Sequence, residues 1–138
     1  MAFSHTDLLA ALNDLLEAER AGARVTLETA HNLSPPNLAQ LVLDIQRDEV
    51  RWCGMLMKVI KYLGEEPSHQ TGAFYEKAMA ISDIQERLTF LNRGQGWVVR
   101  RLQSLIPMVE NTYIRSELEL MLTAHEINIE RVNNQIQT

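Results

Sequence analysis

The chain has 138 residues, 46% hydrophobic and 22% charged, with a formal net charge of −5. That length suits one domain with a substantial core, and the composition is globular rather than disordered. The acidic balance argues against sequence-blind binding to nucleic acid or anionic membrane, and no apolar run approaches the ~18 residues of a membrane span.

Strand signals are nearly absent, whereas helical periodicity is strong in four segments. The first runs from about Asp7 to Ala30, with Leu8, Leu12, Leu15, Leu16, Ala23, Thr26 and Ala30 at three- and four-residue steps. Ser4 or Thr6 can cap it, and "HNLSPPN" stops it. The second starts after Pro35-Pro36 and carries Leu38, Leu41, Val42, Ile45, Trp52, Leu56, Val59 and Leu63, with Gly64 as its terminator. The third begins near Ser82-Asp83, carries Ile84, Leu88, Leu91, Val98, Leu102 and Leu105, and ends before Pro107. The fourth follows from Asn111 with Ile114, Leu118, Met121, Leu122, Val132 and Ile136.

Short links join the first segment to the second and the third to the fourth, so each pair is expected to be antiparallel. The connection from Gly64 to Ile81 is too long for a featureless loop. It reads as a crossover along the bundle, with a short helix around Phe74 to Ala80. The expected fold is a single all-α domain, a four-helix bundle with one long crossover between its second and third long helices.

Every stripe is interrupted near its middle by a polar residue. Leu12 and Leu16 lead to Glu19, Ile45 leads to Glu49, Leu91 leads to Gln95, and Leu118 and Leu122 lead to His125. Antiparallel and crossover packing bring these interruptions to one level. Asp48 is a near miss at the edge of its stripe. Glu17 and Glu28 lie off the first stripe beside Arg20 and Arg24 and read as solvated charge, and Glu126 is expected to face outward. Taken alone, a glutamate on a helix stripe is usually a boundary residue reaching water, and a stripe histidine is usually a satisfied core residue. His5, His31 and His69, at helix ends or in loops, read as solvated.

The stretch "RDEVRWCGML" has the framing of a metal motif, an acid followed three residues later by a ligand, but Trp52 holds the ligand position. Together with "IKYLGEEP" it resembles the second helix of ferritin-like proteins. "LNDLLEAERAGARV" resembles their first helix, with Glu19 at the metal-binding glutamate, and "LMLTAHEINIERV" resembles their fourth, with His125 at the ligand histidine. The chain is similar to small bacterial ferritin-like domains of uncharacterised role. Family members with a two-metal site use four carboxylates and two histidines. By that resemblance Trp52 replaces the first histidine, Gln95 the third-helix glutamate and Leu122 the fourth-helix glutamate. Three ligands remain, Glu19, Glu49 and His125, and the two-metal site reads as dismantled.

The expected result is a metal-free polar core in which Glu19 and Glu49 accept hydrogen bonds from Trp52, Gln95 and His125. It implies a non-enzymatic module, stress-associated or interacting with other proteins, with no cofactor. The alternative is an oxidoreductase or storage protein holding iron or manganese at Glu19, Glu49 and His125, helped by Asp48 or Glu126. Gly94 and Gly96 each cost a helix about 1 kcal/mol relative to alanine. With Gly54 they point to close helix approach; a π-bulge at Gly96-Trp97 or a dimer contact stays open. Off-stripe Phe90, Trp97 and Val99 point to a homodimer. Cys53, the one cysteine, reads as a small buried hydrophobe. A reducing cytoplasm is expected, because one cysteine cannot form an internal disulfide; Met1 to Leu12 also lacks the basic start and apolar centre of a signal peptide.

Overall fold

Capping chemistry sets where the helices begin. The structure, a computed structural model, describes residues 3–33 and 36–136. Helix α1, His5–Ala30, starts at a capping box in which Ser4 and Asp7 each accept the other's backbone N–H. Pro36 opens α2, Pro36–Tyr62, while Ser34 and Pro35 of the expected stop lie outside the described residues. At the far end of α2, Gly64 takes φ +89°, and the amides of Gly64 and Glu65 donate back to Lys61 and Ile60. This is the paired bond pattern of a left-handed glycine cap. Asp83 caps α4, Ile84–Leu105, by accepting from the Glu86 amide. A single 3-10 turn, Ile106–Met108, contains Pro107, and Asn111 then caps α5, Thr112–Ile136, by accepting from Ile114.

The short helix α3, Phe74–Met79, lies on the crossover where it was expected. Helix α1 packs beside α2 and α4, and α5 packs beside the same two, so α1 and α5 stand diagonally across the bundle. No helix among the described residues is long and apolar enough to cross a membrane.

The core divides into two apolar clusters along the bundle axis. One takes residues 11–16 of α1, 52–60 of α2, 98–105 of α4 and 114–121 of α5. The other takes Val25 and Ala30, Leu41 to Ile45, Leu88 and Leu91, and Val132. On all four long helices the gap between the clusters is filled by the polar interruption of the stripe: Glu19, Glu49, Gln95 and His125, all buried. The antiparallel pairing and the crossover therefore bring the four to one layer.

The crossover is tied to α1 by groups that the sequence marked as solvated. Glu17 accepts from the Ser68 hydroxyl at 2.6 Å, Asn13 accepts from the Ser68 amide, and Arg20 donates to the Gln70 carbonyl. Glu28 accepts from Tyr75, whose ring lies under Arg24. The physical reason is register: Asn13, Glu17, Arg20, Arg24 and Glu28 form a second stripe, and the crossover runs along it.

Gly94 also has a specific task. A Cβ there would lie 2.7 Å from Phe74, whose ring stacks on Phe90 with centroids 5.0 Å apart. By contrast a Cβ at Gly54 would meet nothing within 4 Å, so the close approach at Gly94 is to the crossover and Gly54 takes part in none. Helix α4 is continuous through Gly96 and Trp97, without a π-bulge. Gly94→Ala is expected to destabilise the protein by about 1–2 kcal/mol by displacing the Phe74 ring. In a Phe74→Ala background the same change should stabilise by up to about 1 kcal/mol, through helix propensity alone. Urea denaturation of the four proteins of this cycle reads the change of sign.

Candidate metal centre

Burying two carboxylates one layer deep in a bundle requires space, and Gly22 provides it. It lies one helical turn after Glu19, and a Cβ at Gly22 would sit 2.9 Å from Glu49 Oε1 and 3.0 Å from its carboxyl carbon. The Glu49 carboxylate thus lies directly against the α1 backbone. His125 reaches across the bundle diagonal, placing Nε2 2.7 Å from Glu19 Oε1. Its other ring nitrogen, Nδ1, lies 2.9 Å from the Met121 carbonyl one turn back. A carbonyl can only accept, so Nδ1 carries a proton and Nε2 faces the carboxylates. One atom from each of Glu19, Glu49 and His125 falls within 4.8 Å of the others.

Burial dominates the titration of this cluster. It pushes the Glu19 carboxyl up to about 7, with a hydrogen bond from Glu49 acting in the opposite direction. Glu49 is raised well above the ordinary carboxyl range by burial first, then by the charge of Glu19, while His125 acts to lower it. Burial thus makes both carboxyls resist ionising, and Glu49, raised also by the charge of Glu19, holds its proton more strongly. Cys53 is half-buried, and its thiol is pushed up to about 12 by burial and then by Glu19 and Glu49. It is poorly suited to act as a nucleophile.

The expected donor network needs correction. Trp52 is fully buried, but its indole N–H finds no acceptor, because the ring packs into the apolar cluster with Leu12, Leu16 and Leu56. The Gln95 amide nitrogen donates to Asn92 Oδ1 at 3.2 Å instead of to a glutamate. Of the three expected donors only His125 touches a carboxylate. Apart from the contacts these three side chains make with one another, no hydrogen-bond partner among the described residues reaches Glu19 Oε1, Glu49 Oε2 or His125 Nε2. Leu122 is only half-buried against the core, while Met121 occupies the inward position. Asp48 is engaged elsewhere, accepting from Asn128 at 2.9 Å, and Glu126, His5, His31 and His69 are exposed.

Three contributors escaped the sequence reading. Gly22 follows Glu19 by three residues, a spacing that places it on the same face. Asn128 follows His125 by the same interval and continues the α5 stripe to Val132. Asn92 precedes Gln95 by three and orients its amide. A cavity of about 260 Å³ opens beside the cluster, walled by Ala18, Leu91, Val98, Phe74 and Trp97, and reaching Glu19, Glu49 and Gln95. Trp97, 40% exposed, stands at its outer side.

A family model described as "Domain of unknown function (DUF6306)" matches residues 6–134. No curated protein matches the chain. A crystal structure described as "ferritin like, diiron-carboxylate proteins" from Bacillus anthracis str. Ames superposes with a TM-score of 0.85 at 20% identity. The superposition covers 96% of this chain and 99% of that one, and the fold is ferritin-like.

The raised carboxyls give a pH dependence with a definite sign. Both acids bind protons more tightly folded than in an unfolded chain, where the value is 4.5. Their contribution to stability is full below pH 4.5; that of Glu19 is lost as pH rises through 7, and that of Glu49, whose carboxyl is raised further, continues to fall beyond it. With chelator present, Glu19 alone should lower stability by about 2–3 kcal/mol between pH 5 and pH 8, and Glu49 adds to that fall. Glu49→Gln, which mimics the protonated acid, should flatten that slope and be more stable than the parent at pH 8. Urea melts at the two pH values measure both effects.

Proposed function

The chain belongs to the DUF6306 family, whose description assigns no activity, and from its site we propose a ferritin-like bundle that has lost a two-ion site and retains a one-ion site. The ion would be divalent, of the iron or manganese class, held by Glu19, Glu49 and His125. One observation supports this reading: three buried ligand groups converge, and beyond one another their facing atoms find no partner among the described residues. A doubly charged ion would neutralise both carboxylates and accept the Nε2 lone pair, a combination that no donor in this layer supplies.

The donor set fits. Imidazole and carboxylate together suit iron, manganese and zinc, and three protein donors are the usual number at a catalytic zinc. The bond from Nδ1 to the Met121 carbonyl is the kind of outer contact that fixes a ligating histidine's tautomer and ring plane. In the ferritin-like two-ion pattern Glu19 and His125 serve different ions; the other three ligand positions carry an indole, an amide and an aliphatic chain at Trp52, Gln95 and Leu122, which lack the anionic oxygen that two ions need. When bound, such an ion supplies a Lewis acid, or a redox centre in the case of iron. The chain's own residues hold the centre away from bulk water, and the cavity gives a small molecule a route to the two carboxylates. That route favours chemistry on a small substrate over bulk storage.

A second reading keeps the layer free of metal. It is favoured by the 2.7 Å contact between Glu19 and His125, a hydrogen-bond length once a proton lies between them. Metal analysis separates the two readings. Chelator-stripped protein, refilled with iron(II), manganese(II) or zinc(II) and desalted, should retain one ion per chain. Saturation at a hundredfold excess over Kd should stabilise it by about 2.7 kcal/mol, raising Tm by roughly 8–12 °C. Glu49→Gln and His125→Ala should abolish both effects, whereas Trp52→His, Gln95→Glu and Leu122→Glu combined should raise the count to two. No retained metal, or two ions in the parent, would overturn the proposal.

A further inference from the structure

The Gln95 amide is oriented by a chain of hydrogen bonds that starts on α5. Asn92 Nδ2 donates to the Ile129 carbonyl and to Asn133 Oδ1, each at 3.0 Å. Its own oxygen is thereby turned to accept from Gln95 Nε2. With the amide nitrogen committed, Gln95 Oε1 is left as an acceptor, buried and without a partner, on a residue that lines the cavity. Gln95 is 3% exposed and the oxygen itself has almost no accessible surface, so bulk water does not satisfy it, and a ligand in the cavity reaches it with a small turn of the amide or of a wall side chain. A buried acceptor fixed by a relay and left open is costly unless a ligand completes it.

The rest of the cavity describes the body of that ligand. Apart from Gln95 and the Glu19 and Glu49 carboxyls at its inner end, its walls are aliphatic and aromatic, and its volume is about 260 Å³. An apolar cavity of about 150 Å³ holds benzene, so this one has room for a ring with small substituents or a chain of similar bulk. We propose that the cavity binds a small single-ring or short-chain molecule whose one O–H or N–H group donates to Gln95 Oε1. The site rests on the cavity and the Asn92–Gln95 relay and not on the metal reading, which concerns the neighbouring carboxylates.

Phenol and toluene test this, because they share a shape and differ in one donor. Amide chemical-shift titrations of the chelator-treated protein give both the affinity and the location, through the Gly22 and Gly94 signals on the cavity wall. Phenol should bind on the order of 10-fold tighter than toluene, since toluene leaves the acceptor unpaired. In Gln95→Met, which keeps the volume, that preference should fall to within about twofold. Equal affinity in the parent would reduce the cavity to an apolar void and overturn the proposal, as would no binding of either probe at millimolar concentration. A phenol preference that survives in Gln95→Met would assign the donor to another acceptor and also overturn it. Repeating the titration after adding zinc(II) separates the two sites. A protein that takes up no metal but still prefers phenol refutes only the one-ion centre.

Discussion

The structure depends on a polar layer buried across the middle of an otherwise apolar bundle. Two carboxyl groups, an imidazole and an amide arrive there from four different helices, and the two apolar clusters lie on either side. An isolated ionised carboxylate cannot remain in such a place, so protonation, pairing or a cation has to compensate it. The side-chain geometry follows from that demand. Gly22 yields space to the Glu49 carboxyl, His125 spans the diagonal to Glu19, and the Met121 carbonyl fixes the imidazole.

The same layer explains why the crossover is anchored so thoroughly. Its short helix packs on α1 and α4, where the cavity approaches the carboxyls. Phe74 fits against Gly94 and stacks on Phe90, while the charged edge of α1 holds Ser68, Gln70 and Tyr75. Of these residues Phe74 and Gly94 line the cavity, and the others hold the crossover in place behind them. The crossover is thus both a connection between two helical pairs and the cover of the central layer.

Trp52 shows how this layer differs from a simple exchange of metal ligands for hydrogen-bond donors. Its indole adds bulk to one apolar cluster and leaves its N–H unpaired, a cost of about 1–3 kcal/mol that the burial of the ring offsets. Gln95 likewise turns its nitrogen toward Asn92 and leaves the carboxyls. The layer therefore retains acceptors without an outside partner at two places: at the Glu19–Glu49–His125 cluster, and at Oε1 of Gln95, a residue that lines the cavity.

Local rules determined most of the architecture from the sequence alone. Apolar residues three and four apart defined the four long helices. Ser4, Gly64, Asp83 and Asn111 marked their ends through backbone bonds that depend only on neighbouring residues. The interruption of every stripe by one polar residue was enough to locate Glu19, Glu49, Gln95 and His125. Only tertiary structure decided which of these touch. Helix periodicity gives the face on which a side chain lies, but not the direction of a hydrogen bond or the neighbour it finds across the bundle. Trp52, Gln95, Glu17 and Glu28 differed from expectation for that reason. Gly22 and the Asn92 relay act only through residues that are distant in the chain or one turn away on the inner face. The cavity is bounded by α1, α2, α3 and α4 together, and no one of those segments contains a sign of it.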